Sequence, residues 1–412
     1  MVDVCLVLEH TYPQVTGGVS RWVHDLTTGL PELSFAVAHL HEDGGESAPA
    51  RYAPPANVAP IVRVGLDPER LGAPPQAAAQ LPEARVYHAL STGLASSIGS
   101  SAGAARNRPF VLTEHGLAWL EARLGIEGCV KGPKGNAGEP VSADEHRRSV
   151  ARRAAAIDRM AGDAYGRADA ITTVCEANAK HQRRRGAPPL RSSVIANAVG
   201  IAADAEWRPR ALSAPTIGLV GRVVPIKDLS TFIRACRAVA DELPAARFVV
   251  VGPLDHDPAY ADRCQALAAD LDLGERLQFT GETDPRPWYS RLDVAVLTSV
   301  SEAQPLCLIE AMAAGVPVVS TAIGGCADLV RGDREPVGAG RAGLLTPTRD
   351  PAATAGAVLR LCRDPQLRWR LSRAGQARAR ASHNPERFLA AYRALYELAI
   401  DQRSRTAVGG PR

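Results

Sequence analysis

Two glutamates with seven residues between them, Glu302 and Glu310 in SEAQPLCLIEAMAAG, are the side chains best placed by type and spacing to do chemistry. From Leu306 to Ala314 the run is apolar except at Glu310; helix formers fill it, Pro305 suits a first helical turn and Gly315 suits the stop. A lone carboxylate on such a helix costs several kcal/mol unless it neutralises or finds donors. If the helix starts near Pro305, its free amides and dipole favour an anion there. Glu310 then stands about 7–8 Å further along the axis, at 1.5 Å per residue. A diphosphate at the helix start would have one carboxylate near each end of the ligand. A carboxylate accepts two hydrogen bonds from vicinal hydroxyls, which suits Glu310 on a ribose diol and Glu302 on a sugar. An arginine on the helix face would satisfy Glu310 equally well, and spacing alone leaves both open.

Arg222 and Lys227 stand five residues apart in GRVVPIKDL, across a turn at Pro225. Two cations beyond a strand end can clamp a diphosphate, although two solvated surface charges explain the motif by itself more simply. Only Lys131, Lys134, Lys180 and Lys227 are lysines among 48 basic residues, so a lysine retained against that bias draws attention. His115, at the end of PFVLTEH, reads alone as an ordinary satisfied histidine, as do His10, His24, His88 and His256. The eight cysteines are scattered, with no CxxC and no Cys/His cluster at zinc spacing. No Ser-His-Asp arrangement or isolated activated cysteine is visible.

The elements that must carry these residues are short apolar runs alternating with helical patterns. They are 2–9, 34–40, 85–90, 109–115, 169–174 and 192–197 in the first half, and 216–221, 246–252, 276–281, 293–299, 317–321 and 342–347 in the second. Continuous apolar strands alternating with helices imply parallel sheets covered on both faces, and the pattern occurs twice. At 412 residues the chain exceeds one comfortable core. The expected organisation is α/β: a Rossmann-like first domain over 1–205, a second over 206–382, a C-terminal crossover helix over 383–400 and a disordered tail over 401–412. Residues 41–60 and 125–145 read as loops. The last helix is expected to carry its apolar stripe on Phe388, Tyr392, Leu395 and Leu398. Two such domains facing one another would bind ligands between the carboxyl ends of their strands.

A net charge of +4 is small for this length and argues against a dedicated nucleic-acid binder. The N-terminus has no basic segment or long apolar stretch, and no window approaches the ~20 apolar residues of a membrane span. The expected location is cytoplasmic, with peripheral association at the inner face of a membrane, or within a synthase complex, allowed.

EAQPLCLIE resembles the two-glutamate signature of the family 4 retaining glycosyltransferases of the two-Rossmann-domain (GT-B) type. GRVVPIKDL resembles that family's phosphate-binding segment, and TYPQVTGGVSRWV its N-terminal glycine-rich loop. With LTEHG, ADAITTV and VGPLDHDPAYADRC, these motifs are similar to the branch containing the Pel exopolysaccharide glycosyltransferase, in the same order across both domains. The resemblance implies that Gly17 and Gly18 let backbone amides approach a donor diphosphate. Arg222 and Lys227 would neutralise the departing nucleotide diphosphate, and Glu310 would bind the ribose. Glu302 and the amides of Ala303, Gln304, Pro305 and Leu306 that follow it (proline lacking the N–H) belong to the sugar and donor region, as does Asn197. His115 would contact the sugar near the reaction centre. It further implies a nucleotide-diphosphate sugar as substrate, UDP-glucose or a related UDP-hexose, with no other cofactor and no metal, so that Asp255-His256-Asp257 only superficially resembles a DxD metal motif. The acceptor would be a polysaccharide, a lipid-linked sugar or another hydroxyl compound.

The chain departs from that pattern where Asn197-Ala198 replaces Asn-Gly, and where Ala118 and Leu120 replace a polar pair in LAWLEA, with Glu121 kept. Two other readings are weighed beside the transferase: a same-fold sugar-nucleotide epimerase or hydrolase, and a non-catalytic sugar-nucleotide-binding subunit. A dinucleotide-dependent dehydrogenase is disfavoured because HTYPQVTGG, not GxGxxG, follows the first strand.

Overall fold

The computed structural model describes residues 1–9, 11–42, 49–66, 75–125, 143–200, 212–332 and 340–408. It forms two compact units, Met1–Ile195 with Phe388–Arg412, and Ala196–Arg387. The division falls ten residues before the expected 205/206 boundary. The reason is local: the Asn197 amide donates to Gln304 Oε1, and the Val199 amide to the carbonyl of His383, so the chain joins the second unit at once. Residues 201–211, which span the expected boundary, His10 and most of the expected loop 125–145 lie outside the described residues.

The first unit holds a seven-stranded parallel sheet of β1 (Val2–Glu9), β2 (Phe35–Glu42), β3 (Val58–Leu66), β4 (Ala84–Ala89), β5 (Phe110–Glu114), β6 (Ala170–Thr173) and β7 (Ser192–Val194). Their order is β3-β2-β1-β4-β5-β6-β7. β3 overlaps the segment expected to be a loop. It carries Pro60, which cannot donate to a ladder and therefore sits on an edge strand; the pairing of β2 with β3 shifts register between Phe35 and Val37. The central strand β1 is buried on both faces, with Val4 through Leu8 at most 1% exposed, as its unbroken apolar run required.

The second unit holds a six-stranded parallel sheet of β8 (Thr216–Val220), β9 (Arg247–Val251), β10 (Leu277–Phe279), β11 (Val294–Leu297), β12 (Val318–Thr321) and β13 (Gly343–Thr346), in the order β10-β9-β8-β11-β12-β13. All six overlap the runs read from the sequence.

The last helix, Pro385–Val408, continues through the stretch expected to be a disordered tail up to Val408, and residues 409–412 lie outside the described residues. It buries Phe388, Tyr392, Tyr396 and Ala399, while Leu398, expected on the stripe, is 57% exposed. The buried set follows i, i+4, i+8 and i+11, and Leu398 falls on the opposite side. Tyr396 Oη lies 2.9 Å from His88 Nδ1, and the Phe388 and Tyr392 rings meet Trp22 edge-on at 5.7 and 5.0 Å, so this helix completes the core of the first unit. Among the described residues, no helix is long and apolar enough to cross a membrane.

Candidate functional site

In a doubly wound sheet the crevice at the carboxyl ends, where strand order reverses, is where ligands bind. In the second unit the reversal falls between β8 and β11. Lys227 follows the first of these strands and Glu302 the second, and the structure brings them together: Lys227 Nζ donates to Glu302 Oε1. Ser299 Oγ donates to the same oxygen at 2.8 Å. The two side chains are 14% and 13% exposed. Burial draws the Lys227 pKa down, but the Glu302 charge overcomes it and leaves the ammonium above its ordinary value. Thr298 Oγ1 donates to the carbonyls of Lys227 (3.0 Å) and Asp228 (2.9 Å), which ties the two loops. Asp228, at φ 44°, accepts from Thr231 and so caps the helix Leu229–Glu242.

The loop carrying Glu302 is held from behind. Gly324 has φ +43°, and a Cβ there would come to 1.7 Å from the Glu302 carbonyl oxygen. The Gly325 amide donates to Ala303 O at 2.7 Å. Asn197 Nδ2 donates to Gln304 O at 2.9 Å, and His383 Nδ1 to Asn197 O at 2.9 Å, so Asn197 braces the loop through Gln304. Pro305 lies just outside the helix, at its cap, and the helix runs Leu306–Ala313.

Glu310 is half-buried on that helix and accepts a 2.7 Å hydrogen bond from Tyr289 Oη. That hydroxyl, on a residue 4% exposed, supplies one donor, and the Glu310 charge also acts on the Arg286 guanidinium. Burial, then the Glu310 charge, pushes the Tyr289 phenol well above its ordinary pKa, so it remains the donor. Arg222 is exposed, with Nη1 3.3 Å from His256 Nδ1, and its charge reaches both Lys227 and Glu302. Asp257 caps the helix Pro258–Asp270 through the Tyr260 amide at 3.0 Å.

In the first unit the strand order reverses between β1 and β4. Glu9, at the end of β1, accepts from Ser91 Oγ and the Ala95 amide, both at 2.8 Å, and so anchors the helix Leu94–Ala105. Gly17 precedes the helix Gly18–Gly29 in extended backbone, and a Cβ there would meet nothing within 4 Å. The fold itself makes no demand for glycine at 17. Gly18, the first helical residue, is exposed.

His115 follows β5, its ring 4.8 Å from Trp22 in an edge-to-face contact. Burial pushes its pKa down to about 4, so the imidazole is neutral near pH 7. His115 Nε2 is covered and unpartnered, and so are Thr11 Oγ1, Gln14 Oε1, Ser20 Oγ, Trp22 Nε1 and His24 Nδ1 on the segment and helix after β1. Buried polar atoms without partners are uncommon in native folds, and here six of them lie on His115 and the segment and helix after β1.

Beside His115 lies a network the sequence reading passed over. Glu114, 1% exposed, accepts from Tyr165 Oη (2.5 Å), Gln182 Nε2 (2.8 Å) and Thr92 Oγ1 (3.0 Å), and Trp119 Nε1 donates to Tyr165 Oη (3.0 Å). A carboxylate at the end of a fully buried, mostly apolar strand is its visible signal. Desolvation raises the Glu114 pKa from 4.5 to about 7, against the pull of its three donors. A folded pKa above the unfolded one contributes stability that is complete below 4.5 and is lost as pH rises through about 7. Glu114→Gln is therefore expected to gain melting temperature relative to the parent between pH 5 and pH 8. A difference that stays constant across that range would refute the assignment.

Comparison with known proteins bears on both units. The model described as "Glycosyl transferases group 1" matches residues 214–364, and one described as a domain of unknown function (DUF3492) matches 2–78 and 71–190. The D-inositol 3-phosphate glycosyltransferase of Acidothermus cellulolyticus is 30% identical over 334 residues, 77% of this chain and 69% of that protein. Other relatives of the same description align over half or less of their own length. Among solved structures, sucrose-phosphate synthase from Thermosynechococcus elongatus superposes with a TM-score of 0.73 at 19% identity, over 98% of this chain and all of that one. HepE of Anabaena, solved with UDP and glucose, gives 0.68 at 17%, over 96% of this chain and all of that one. At these identities the structural likeness speaks for the shared two-domain fold. With a sequence relative aligned across both halves and two Rossmann-like parallel-sheet units, the chain belongs to the group 1 glycosyl transferases.

Proposed function

We propose that this glycosyltransferase moves a hexose from a UDP-sugar to a carbohydrate hydroxyl, with retention at the anomeric carbon and without a metal. The observation that carries the reading is the Lys227–Glu302 pair at the switch point of the second sheet, beside the start of the helix that bears Glu310. A diphosphate seated there takes the Lys227 ammonium and the Arg222 guanidinium as counter-charges. Glu302, released from Lys227, turns its acceptor oxygens to the sugar hydroxyls. Glu310 keeps its bond to Tyr289 and accepts hydrogen bonds from the ribose diol. The free amides at the start of Leu306–Ala313 face the same anion. Gly17 and Gly18 allow backbone amides to come close to the diphosphate, and neutral His115 is assigned to the sugar hydroxyls. Asn197 acts through Gln304 as a positioning residue.

In the reaction the bond from the anomeric carbon to the diphosphate oxygen breaks, and the acceptor oxygen bonds to that carbon on the same face. The acceptor proton passes to the departing diphosphate oxygen, so no protein nucleophile is used. The charge that grows on the leaving group falls to Lys227, Arg222 and the helix start, which are set before the reaction begins. The motif resemblance to the Pel branch favours a growing polysaccharide as the acceptor.

Calorimetric titration of UDP, GDP and ADP in EDTA is expected to show binding selective for UDP. Glu310→Ala should weaken that binding at least tenfold, the loss of charge-assisted bonds to two hydroxyls. If none of the three binds, or if binding requires a divalent ion, the reading fails.

A further inference from the structure

Away from the Lys227–Glu302 pair, the second unit holds a cavity of about 430 Å³ against its edge strand β13, two strands beyond β11 and so about 10 Å across the sheet. Arg331, Arg341 and Arg360 all line it, and among the described residues no acidic side chain does. Among the described residues none of the three guanidiniums has an ion-pair partner. Thr346 also lines the cavity; it is 4% exposed, and its hydroxyl has no hydrogen-bond partner. We infer that this cavity is an anion site for a small phosphate-bearing molecule, separate from the transfer site, with Arg331, Arg341 and Arg360 as its charge and Thr346 as its hydroxyl donor.

The walls are built to hold those side chains. Arg331 ends the helix Gly324–Arg331, and the Ala342 amide donates to Val330 O at 2.9 Å, which keeps Arg331 and Arg341 side by side. Behind them Arg378, 1% exposed, donates to the carbonyls of Leu329, Val330 and Gly340, and so fastens both flanks. A Cβ on Gly332 would fall 1.6 Å from Arg378 Nη2, so that turn has room only for glycine. On the facing side Asp350 caps the helix Pro351–Arg363 through the Ala353 amide at 2.8 Å. Ala353, Gly356, Ala357 and Arg360 then form one stripe at i, i+3, i+4 and i+7, small residues leaving the room and the arginine closing its end.

The chemistry selects the ligand. Guanidinium forks match tetrahedral phosphate oxygens in bidentate pairs. Three cations exceed what one carboxylate needs, and a volume within about 300–1,000 Å³ suits a small molecule. An unpartnered threonine hydroxyl lacks an acceptor, which phosphate supplies. Inorganic phosphate and a phosphorylated metabolite share this chemistry.

The test titrates inorganic pyrophosphate into the full chain, comparing the parent with the double variant R341Q/R360Q and with Lys227→Ala. The expected result is a binding event, additional to any at the Lys227–Arg222 site, that the double variant weakens about a hundredfold, tenfold for each lost charge-assisted contact, and that Lys227→Ala leaves in place. Circular dichroism and the melting temperature of R341Q/R360Q should match the parent, because both arginines are exposed. T346V should weaken the same event several-fold. Binding that R341Q/R360Q leaves unchanged would overturn the inference. Binding lost only in Lys227→Ala would assign pyrophosphate to the transfer site, ending this inference while sparing the proposed function. Repeating the titration with a monophosphate sugar and with inorganic phosphate then separates the two ligand sources.

Discussion

Lys227→Ala is expected to lower turnover by about 10²- to 10³-fold, the range seen when one preorganised stabiliser of developing charge is removed. The ammonium sits at the switch point, mostly shielded from water, where charge interactions are weakly screened. In the free enzyme its charge is spent on Glu302, whose oxygen also accepts from Ser299. In the transition state of the proposed reaction it has more to gain, because the diphosphate there carries more charge than in the bound donor. The donor KM should therefore change much less than turnover. Lys227→Arg should recover part of the loss, since it restores the charge without the same reach. Turnover within threefold of the parent would remove Lys227 from the mechanism.

The second large effect is expected at Gly324. Alanine there must adopt a left-handed φ and place its Cβ 1.7 Å from a backbone carbonyl. No side-chain rotation relieves that overlap, so the Glu302 loop or the helix Gly324–Arg331 has to move. A cost of about 3 kcal/mol corresponds to a fall of roughly 6–12 °C in melting temperature for a unit of this size. Activity should drop more than tenfold in the fraction that remains folded, because Glu302 and the start of the next helix are displaced together. Gly17→Ala is the contrasting case: its Cβ meets nothing, so the melting temperature should hold while UDP affinity falls. Equal melting temperatures for Gly324→Ala and the parent would show that the Glu302 loop is not braced as described.

Much of this architecture is legible in the sequence itself. Short, mostly apolar runs mark twelve strands, because parallel strands inside a sheet are buried on both faces and tolerate little polarity, and only the short edge strand β7 is largely exposed among them. β3 escaped notice because Pro60 and its edge position dilute that pattern. The helix beginning near Pro305 was readable from composition, and the two carboxylates from their isolation. Their partners were not: Tyr289 and Lys227 reach Glu310 and Glu302 from separate segments, and no local periodicity announces such a meeting. Glu114 was visible as a carboxylate ending a strand, but its donors come from Thr92, Tyr165 and Gln182, spread over 90 residues of chain. Leu398 was misplaced on the last helix because tyrosines at 392 and 396, amphipathic by nature, take the buried face in its stead.

The last helix also sets an order of events during synthesis. The second unit is one continuous stretch, Ala196–Arg387, whereas the first needs Phe388 onward to cover Trp22 and to bond His88. As the chain leaves the ribosome, the unit written second is complete first. The unit written first must wait, its aromatic core open, while about 190 residues are added; at 5–20 residues per second that is roughly 10–40 s. For that interval the nascent chain exposes the surface that helper proteins recognise, and a pause or truncation near Arg387 strands it there.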